Sequence, residues 1–137
     1  MMKIITAIFS VFFLAACAAY NAPPPVADIV VLETTLGDIE IELYADKAPI
    51  SAGHFLQYAE DGLYDGEGFY RVVRPETDPR GWGMALIQGG IIGLDESEDV
   101  IAHETTEMTG LSHTDGAISI ARGDVGTGSA AYFFICI

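Results

Sequence analysis

Positive charge is scarce in this chain: six Lys and Arg stand against twenty Asp and Glu, a formal net charge of −14. A surface so acidic repels nucleic acid and anionic lipid, and neither is expected as a partner of the folded domain. Cysteine is nearly absent, with Cys17 closing an apolar leader and Cys136 inside an apolar strand pattern. If Cys17 is modified, Cys136 is the one free thiol, so no intrachain disulfide is expected and the core must carry the fold. Cys136 itself reads as a small core residue. No apolar run is long enough for an ordinary membrane span, because residues 4–16 fall short of it. The acidic stretch Asp95-Glu96-Ser97-Glu98-Asp99 has neither the central glycine nor the closing glutamate of a calcium loop, and reads as a solvated loop. His103-Glu104-Thr105-Thr106-Glu107 lacks the second histidine of a zinc H-E-x-x-H, and its threonines and Gly110 fit a helix poorly. A metal hydrolase is therefore disfavoured and no metal site is expected. There are no internal repeats, and 137 residues make one domain.

The leader carries its own signals. Met1-Met2-Lys3 is a short basic start, residues 4–16 are apolar, and Leu14-Ala15-Ala16-Cys17 resembles a bacterial lipobox. That resemblance implies a signal peptide over 1–16, cleavage before Cys17, and lipidation of Cys17. Residues 17–27, with Pro23-Pro24-Pro25, read as an extended tether, which leaves 28–137 as the folded domain. The implied location is the bacterial cell envelope, lipid-anchored and facing periplasm or exterior, with membrane contact through the lipid alone. Ala18 after the cysteine carries no aspartate retention signal.

Periodicity sorts the rest into many short strands and one good helix. Residues 29–33 and the alternating Ile39-Glu40-Ile41-Glu42-Leu43 flank a turn at 34–38, as a hairpin. Asp46 and Pro49 mark a helix start, Ala52, Phe55, Leu56 and Ala59 form its apolar face, and Gly62 stops it. His54 reads as a flank residue of that helix. Strands are expected at 69–73, 84–90, 117–121 and 131–137, with an irregular stretch at 74–83 and a glycine-rich connection at 123–129. The pattern predicts a mainly β domain: a closed or partly closed antiparallel barrel with the helix over one end.

Phe69-Tyr70-Arg71-Val72-Val73 sets an arginine in an apolar strand. Alternation places Phe69, Arg71 and Val73 on one face. A guanidinium there either pairs with a carboxylate at the edge of the core or meets a ligand. Gln88 shares a face with Leu86 and Met84, and Phe134 with Tyr132 and Cys136. Arg71, Gln88 and Phe134 could then line one groove: a cation, an amide that donates and accepts, and an aromatic wall. That set suits a neutral peptide carbonyl beside an apolar ring, and it contains no nucleophile–base pair.

These segments together resemble the cyclophilins, the prolyl isomerases. Phe69-Tyr70-Arg71-Val72-Val73 is similar to the family's F-x-R-V-I strand, and Ile87-Gln88-Gly89-Gly90 to its I-Q-G-G. Residues Gly116-Ala117-Ile118-Ser119-Ile120-Ala121-Arg122 are similar to G-x-x-S-M-A, and Phe133-Phe134-Ile135-Cys136 to F-F-I-C. The resemblance implies a cyclophilin-like antiparallel barrel capped by a helix, and peptidyl-prolyl isomerisation without a cofactor. It implies that Arg71 is catalytic, that Gln88 contacts the substrate main chain, and that Leu86 forms the apolar floor. It further implies that Ala121 and Arg122 bind peptide backbone, that Phe134 lies under the proline ring, and that Phe69 and Tyr132 belong to the binding surface. Proline-containing polypeptides would be the partners, and a monomer is expected. The alternative is a non-catalytic module that binds proline segments or acts as a holdase.

Some positions depart from the pattern. Tyr132 stands where many relatives have glutamine, Arg122 where asparagine is frequent, and Ala85 where an aromatic pocket residue is common. Trp82 or Met84 of the 74–83 stretch is the candidate replacement for that aromatic. The family continues past F-F-I-C with a loop and further strands, so a barrel incomplete at the C-terminus, with an unpaired edge, is the expectation.

Overall fold

A computed structural model describes residues 28–94 and 100–137. The expectations for the signal peptide, Cys17, the tether and the acidic stretch 95–99 lie outside those residues. Strands β1 (Asp28–Thr34) and β2 (Gly37–Leu43) form the expected hairpin, antiparallel from Asp28 opposite Leu43 to Thr34 opposite Gly37. Alternation buries Val30, Ile41 and Leu43 and leaves Glu40 and Glu42 in solvent. Helix α1 (Pro49–Glu60) begins with Pro49 in its first turn, where the missing N–H costs nothing. It buries Ala52, Phe55 and Tyr58. Phe55 meets Phe133 edge-on at 5.4 Å and Tyr64 at 5.2 Å. Gly62, at φ +68°, takes the left-handed turn that ends the helix.

The N-terminus of α1 has an unforeseen partner. Ala48, the capping residue, has no side chain able to accept a bond, and Asp46 does not supply one. Instead Glu104, far along the chain, accepts from Ile50 N at 3.1 Å and Ser51 N at 2.7 Å. A carboxylate against the positive end of a helix satisfies orphan donors and favours the helix macrodipole. Glu104→Ala is expected to cost about 1–2 kcal/mol. Denaturant unfolding checks this, and Glu104→Gln should recover part of the loss because its amide oxygen still accepts.

The main sheet holds β3 (Gly68–Val73), β4 (Leu86–Gly90), β5 (Ile101–Ala102), β6 (Ile118–Ala121) and β7 (Thr127–Cys136). All pairings are antiparallel: β3 with β4, β4 with β7, and both β5 and β6 with β7. The domain is mainly antiparallel β, as the periodicity predicts. Its core forms where β1, β2, α1 and one face of this sheet meet, around Val30, Ile41, Leu43, Phe55, Tyr58, Phe133 and Ile135.

Three local expectations are corrected. The strand placed at 84–90 begins at Leu86, because Met84 N bonds the Asp78 carboxylate rather than a neighbouring strand. The connection placed at 123–129 is shorter, because β7 already starts at Thr127 and pairs there with β5. One helical turn, α2 (Thr106–Thr109), forms where threonines argued against it, since Thr105 Oγ1 accepts from Met108 N at 3.2 Å and Gly110, at φ +70°, closes it.

Candidate active site

Strand register assembles the site. Arg71 lies directly opposite Gln88, Gln88 opposite Phe134, and Phe134 opposite Ser119. Four side chains thus form one cross-strand row over β3, β4, β7 and β6, on the sheet face turned away from the core. With strands about 4.8 Å apart, the row spans about 14 Å, the length of a short extended peptide. Beside it runs a second row, Val73, Leu86 and Cys136. Val73 and Leu86 are buried, which makes an apolar floor next to the polar row. Cys136 is free and half-buried on this groove face, not in the core as expected, and burial pushes its thiol pKa up, with Asp115 adding to the effect.

Arg71 is exposed, and its Nη1 donates to Gln88 Oε1 at 2.9 Å. Among the described residues it makes no ion pair, so the core-edge salt bridge weighed from sequence does not form. Because a guanidinium only donates, the bond fixes the Gln88 amide with its oxygen toward Arg71 and its NH2 free to donate elsewhere. Among the described residues the remaining N–H groups of Arg71 are likewise free for a ligand. At the other end of the row the His113 ring stacks on Phe134, with centroids 5.6 Å apart and planes 20° off parallel. His113 Nε2 also lies 3.0 Å from Ser119 Oγ.

Phe69 does not join this row, contrary to simple alternation. The β3–β4 register slips between Phe69 and Arg71, so Tyr70 is an extra residue and Phe69 sits opposite Gly89. Such a bulge flips every side chain before it to the other face. Phe69 accordingly packs edge-on against Phe133 at 6.0 Å, on the core side. Tyr132 is on the strand face of Phe134, but its hydroxyl donates to the Leu94 carbonyl at 3.0 Å and its ring packs against the core. Ala121 closes β6 beyond a second register slip, opposite Ser129, and Arg122 follows it, exposed. Leu86, Gln88, Phe134 and Arg71 are therefore brought together, while Ala121 and Arg122 lie beyond the second register slip and Phe69 and Tyr132 make other contacts. Sequence reasoning missed Ser119 and His113; alternation within Ile118-Ser119-Ile120 was the available signal for the first.

The comparisons with known proteins bear on this groove. The family described as "Cyclophilin type peptidyl-prolyl cis-trans isomerase/CLD" matches residues 29–137. The chain belongs to the cyclophilin family. It is 36% identical over 109 residues to a peptidyl-prolyl cis-trans isomerase of Acinetobacter baylyi, covering 78% of this chain and 53% of that protein. It is 31% identical over 109 residues to peptidyl-prolyl cis-trans isomerase B of Escherichia coli, covering 78% of this chain and 61% of that protein. Peptidyl-prolyl cis-trans isomerase-like 1 of Rhizopus delemar is 33% identical over 111 residues, at 76% and 61% coverage. The chain thus spans between half and two thirds of the length of these relatives.

Between β3 and β4 this cyclophilin carries a loop folded around one carboxylate. Asp78 accepts from Arg80 N at 3.0 Å, Trp82 N at 2.7 Å and Met84 N at 3.2 Å. Gly81 and Gly83, at φ +68° and +72°, allow the chain to turn so tightly. The result presents Trp82, 71% exposed, with the Arg80 guanidinium 5.1 Å above its ring. Bonding to the Arg80 N–H, helped by those of Met84, Trp82 and Gly83, holds the Asp78 carboxyl below its ordinary 3.8 and outweighs desolvation. A depressed carboxyl stabilises the fold above its unfolded pKa and loses that effect as pH falls through the folded value. Fluorescence of Trp82, the single tryptophan, should therefore change in a transition centred below 3.8. A transition centred above about pH 5 would contradict the clamp.

Proposed function

We propose that the protein accelerates cis–trans rotation about X-Pro bonds in polypeptides, using the groove along Arg71, Gln88 and Phe134. The observation that carries this reading is the Arg71–Gln88 bond, which leaves N–H donors on both side chains beside the buried Val73 and Leu86. Amide resonance sets a barrier of about 18–20 kcal/mol to this rotation. An arginine N–H that donates to the prolyl nitrogen favours its pyramidal form and uncouples the resonance. The Gln88 NH2 is placed to donate to a substrate carbonyl, and Phe134 with Leu86 offers the proline ring an apolar seat. Nothing covalent happens, no proton is transferred, and the chemistry calls for no cofactor. A thousandfold acceleration needs about 4 kcal/mol of transition-state stabilisation, within reach of one or two preorganised donors at about 2.7–4 kcal/mol each.

The leader supports placement in the bacterial cell envelope, with the domain tethered through a lipid on Cys17 and working as a monomer on exported chains. Fatty-acid labelling of the protein, lost on Cys17→Ser, tests the anchor. A protease-coupled assay on a proline tetrapeptide with the full chain tests the activity. Faster conversion of the cis isomer supports isomerase function; binding of the peptide at an unchanged rate would make the domain a proline-segment-binding module instead.

A further inference from the structure

His113 takes no part in the reaction as derived above, yet two contacts tie it to the groove. Its ring stacks on Phe134 at 5.6 Å and 20°, and its Nε2 lies 3.0 Å from Ser119 Oγ. Phe134 needs such a neighbour. Its cross-strand partners, Gln88 and Ser119, are polar and offer no flat surface to hold a ring, and the ring is only half-buried. A phenyl group left so exposed turns about its outer torsion within a broad well.

The loop bearing His113 is itself anchored to the sheet. Gly116 N donates to Cys136 O at 2.9 Å, Ala117 N to Thr114 O at 2.9 Å, and Thr114 N to Ser112 O at 2.9 Å. The geometry points to His113 as a positioning residue: Ser119 fixes the imidazole, and the imidazole fixes the plane of Phe134, so that a proline ring meets a preset aromatic surface. Offset stacking between two rings is the interaction that carries it. This role rests on the isomerase reading above only for its effect on turnover; the orientation of Phe134 is independent of it.

The test uses the full chain with carbon-13-labelled phenylalanine, followed by NMR, alongside isomerase kinetics on a proline tetrapeptide. In His113→Ala the Phe134 ring signals shift and broaden, and in His113→Phe, which keeps the stack and loses the Ser119 bond, they return toward those of the wild type. KM rises about threefold to tenfold in the alanine variant, with kcat within about twofold, and the phenylalanine variant restores KM. Ser119→Ala gives a smaller rise of the same kind. Phe134 signals unmoved by His113→Ala would overturn the proposal, as would a fall in kcat at constant KM. If the wild type turns over no peptide, the isomerase reading fails, while the Phe134 signals still decide the role of His113.

Discussion

Arg71→Ala is expected to lower kcat/KM for proline tetrapeptides by about 100-fold, with thermal unfolding unchanged. Losing one preorganised donor costs about 10²–10³ in rate where the site excludes water. Arg71 is exposed, so solvent screens part of its effect and the lower end of that range applies. The fold should tolerate the change, because Arg71 packs into no core cluster and water can replace its bond to the half-buried Gln88. Arg71→Lys separates charge from shape. A lysine keeps the charge but lacks the fork that can bond Gln88 and a prolyl nitrogen together, so it should recover only a small part of the rate. Full recovery by lysine would mean that a point charge suffices and that the Gln88 bond has no role in aligning the donor.

Gly90→Ala is expected to destabilise the domain by about 3 kcal/mol. Gly90 sits at φ +125°, a conformation that side chains rarely adopt. A Cβ there would overlap the Ala131 carbonyl oxygen of the neighbouring strand. Relief requires β4 and β7 to part just where Ile91 N donates to Ala131 O at 2.7 Å. Backbone strain of about 1–3 kcal/mol and a weakened bond of about 1 kcal/mol give the total. Against a typical stability of 5–15 kcal/mol, a loss of about 3 should move a chemical denaturation midpoint visibly while leaving the slope unchanged. Gly89→Ala provides the comparison: its Cβ meets the Phe69 ring at 3.0 Å, the Gly68 carbonyl oxygen at 3.2 Å and the Phe133 ring at 3.3 Å, none of them the outright overlap found at Gly90. Rings can yield a few tenths of an ångström, so the cost there should be smaller. Equal effects at the two positions would show that the Ala131 contact is not what demands glycine.

The same pair of glycines shows where sequence reading stops. Alternation alone put Gln88 beside Leu86 and Phe134 beside Cys136, and strand register then joined them to Arg71 as expected. The hairpin and α1 were equally legible, because one face of each is buried and the apolar spacing records it. Phe69 was misplaced because a bulge adds a residue without any mark in the period-two pattern; only its partner Gly89, which leaves room for the ring, hints at it. Glu104 was invisible as the cap of α1 because the contact joins segments more than fifty residues apart. The Asp78 loop was legible as irregular but not as ordered, since its order comes from one carboxylate gathering backbone N–H groups that no side-chain pattern reports. His113 gives no signal in the sequence, because its two partners become neighbours only when β6 and β7 pair.

We propose that this groove catalyses rotation rather than merely holding proline. Exchange NMR on a proline tetrapeptide, with a small fraction of the full chain added, separates the two directly, since uncatalysed exchange takes tens of seconds and gives no cross-peaks between cis and trans signals on that timescale. Cis–trans cross-peaks are expected that grow with protein concentration and vanish with Arg71→Ala. Peptide signals that shift on binding while the cross-peaks stay absent would contradict it.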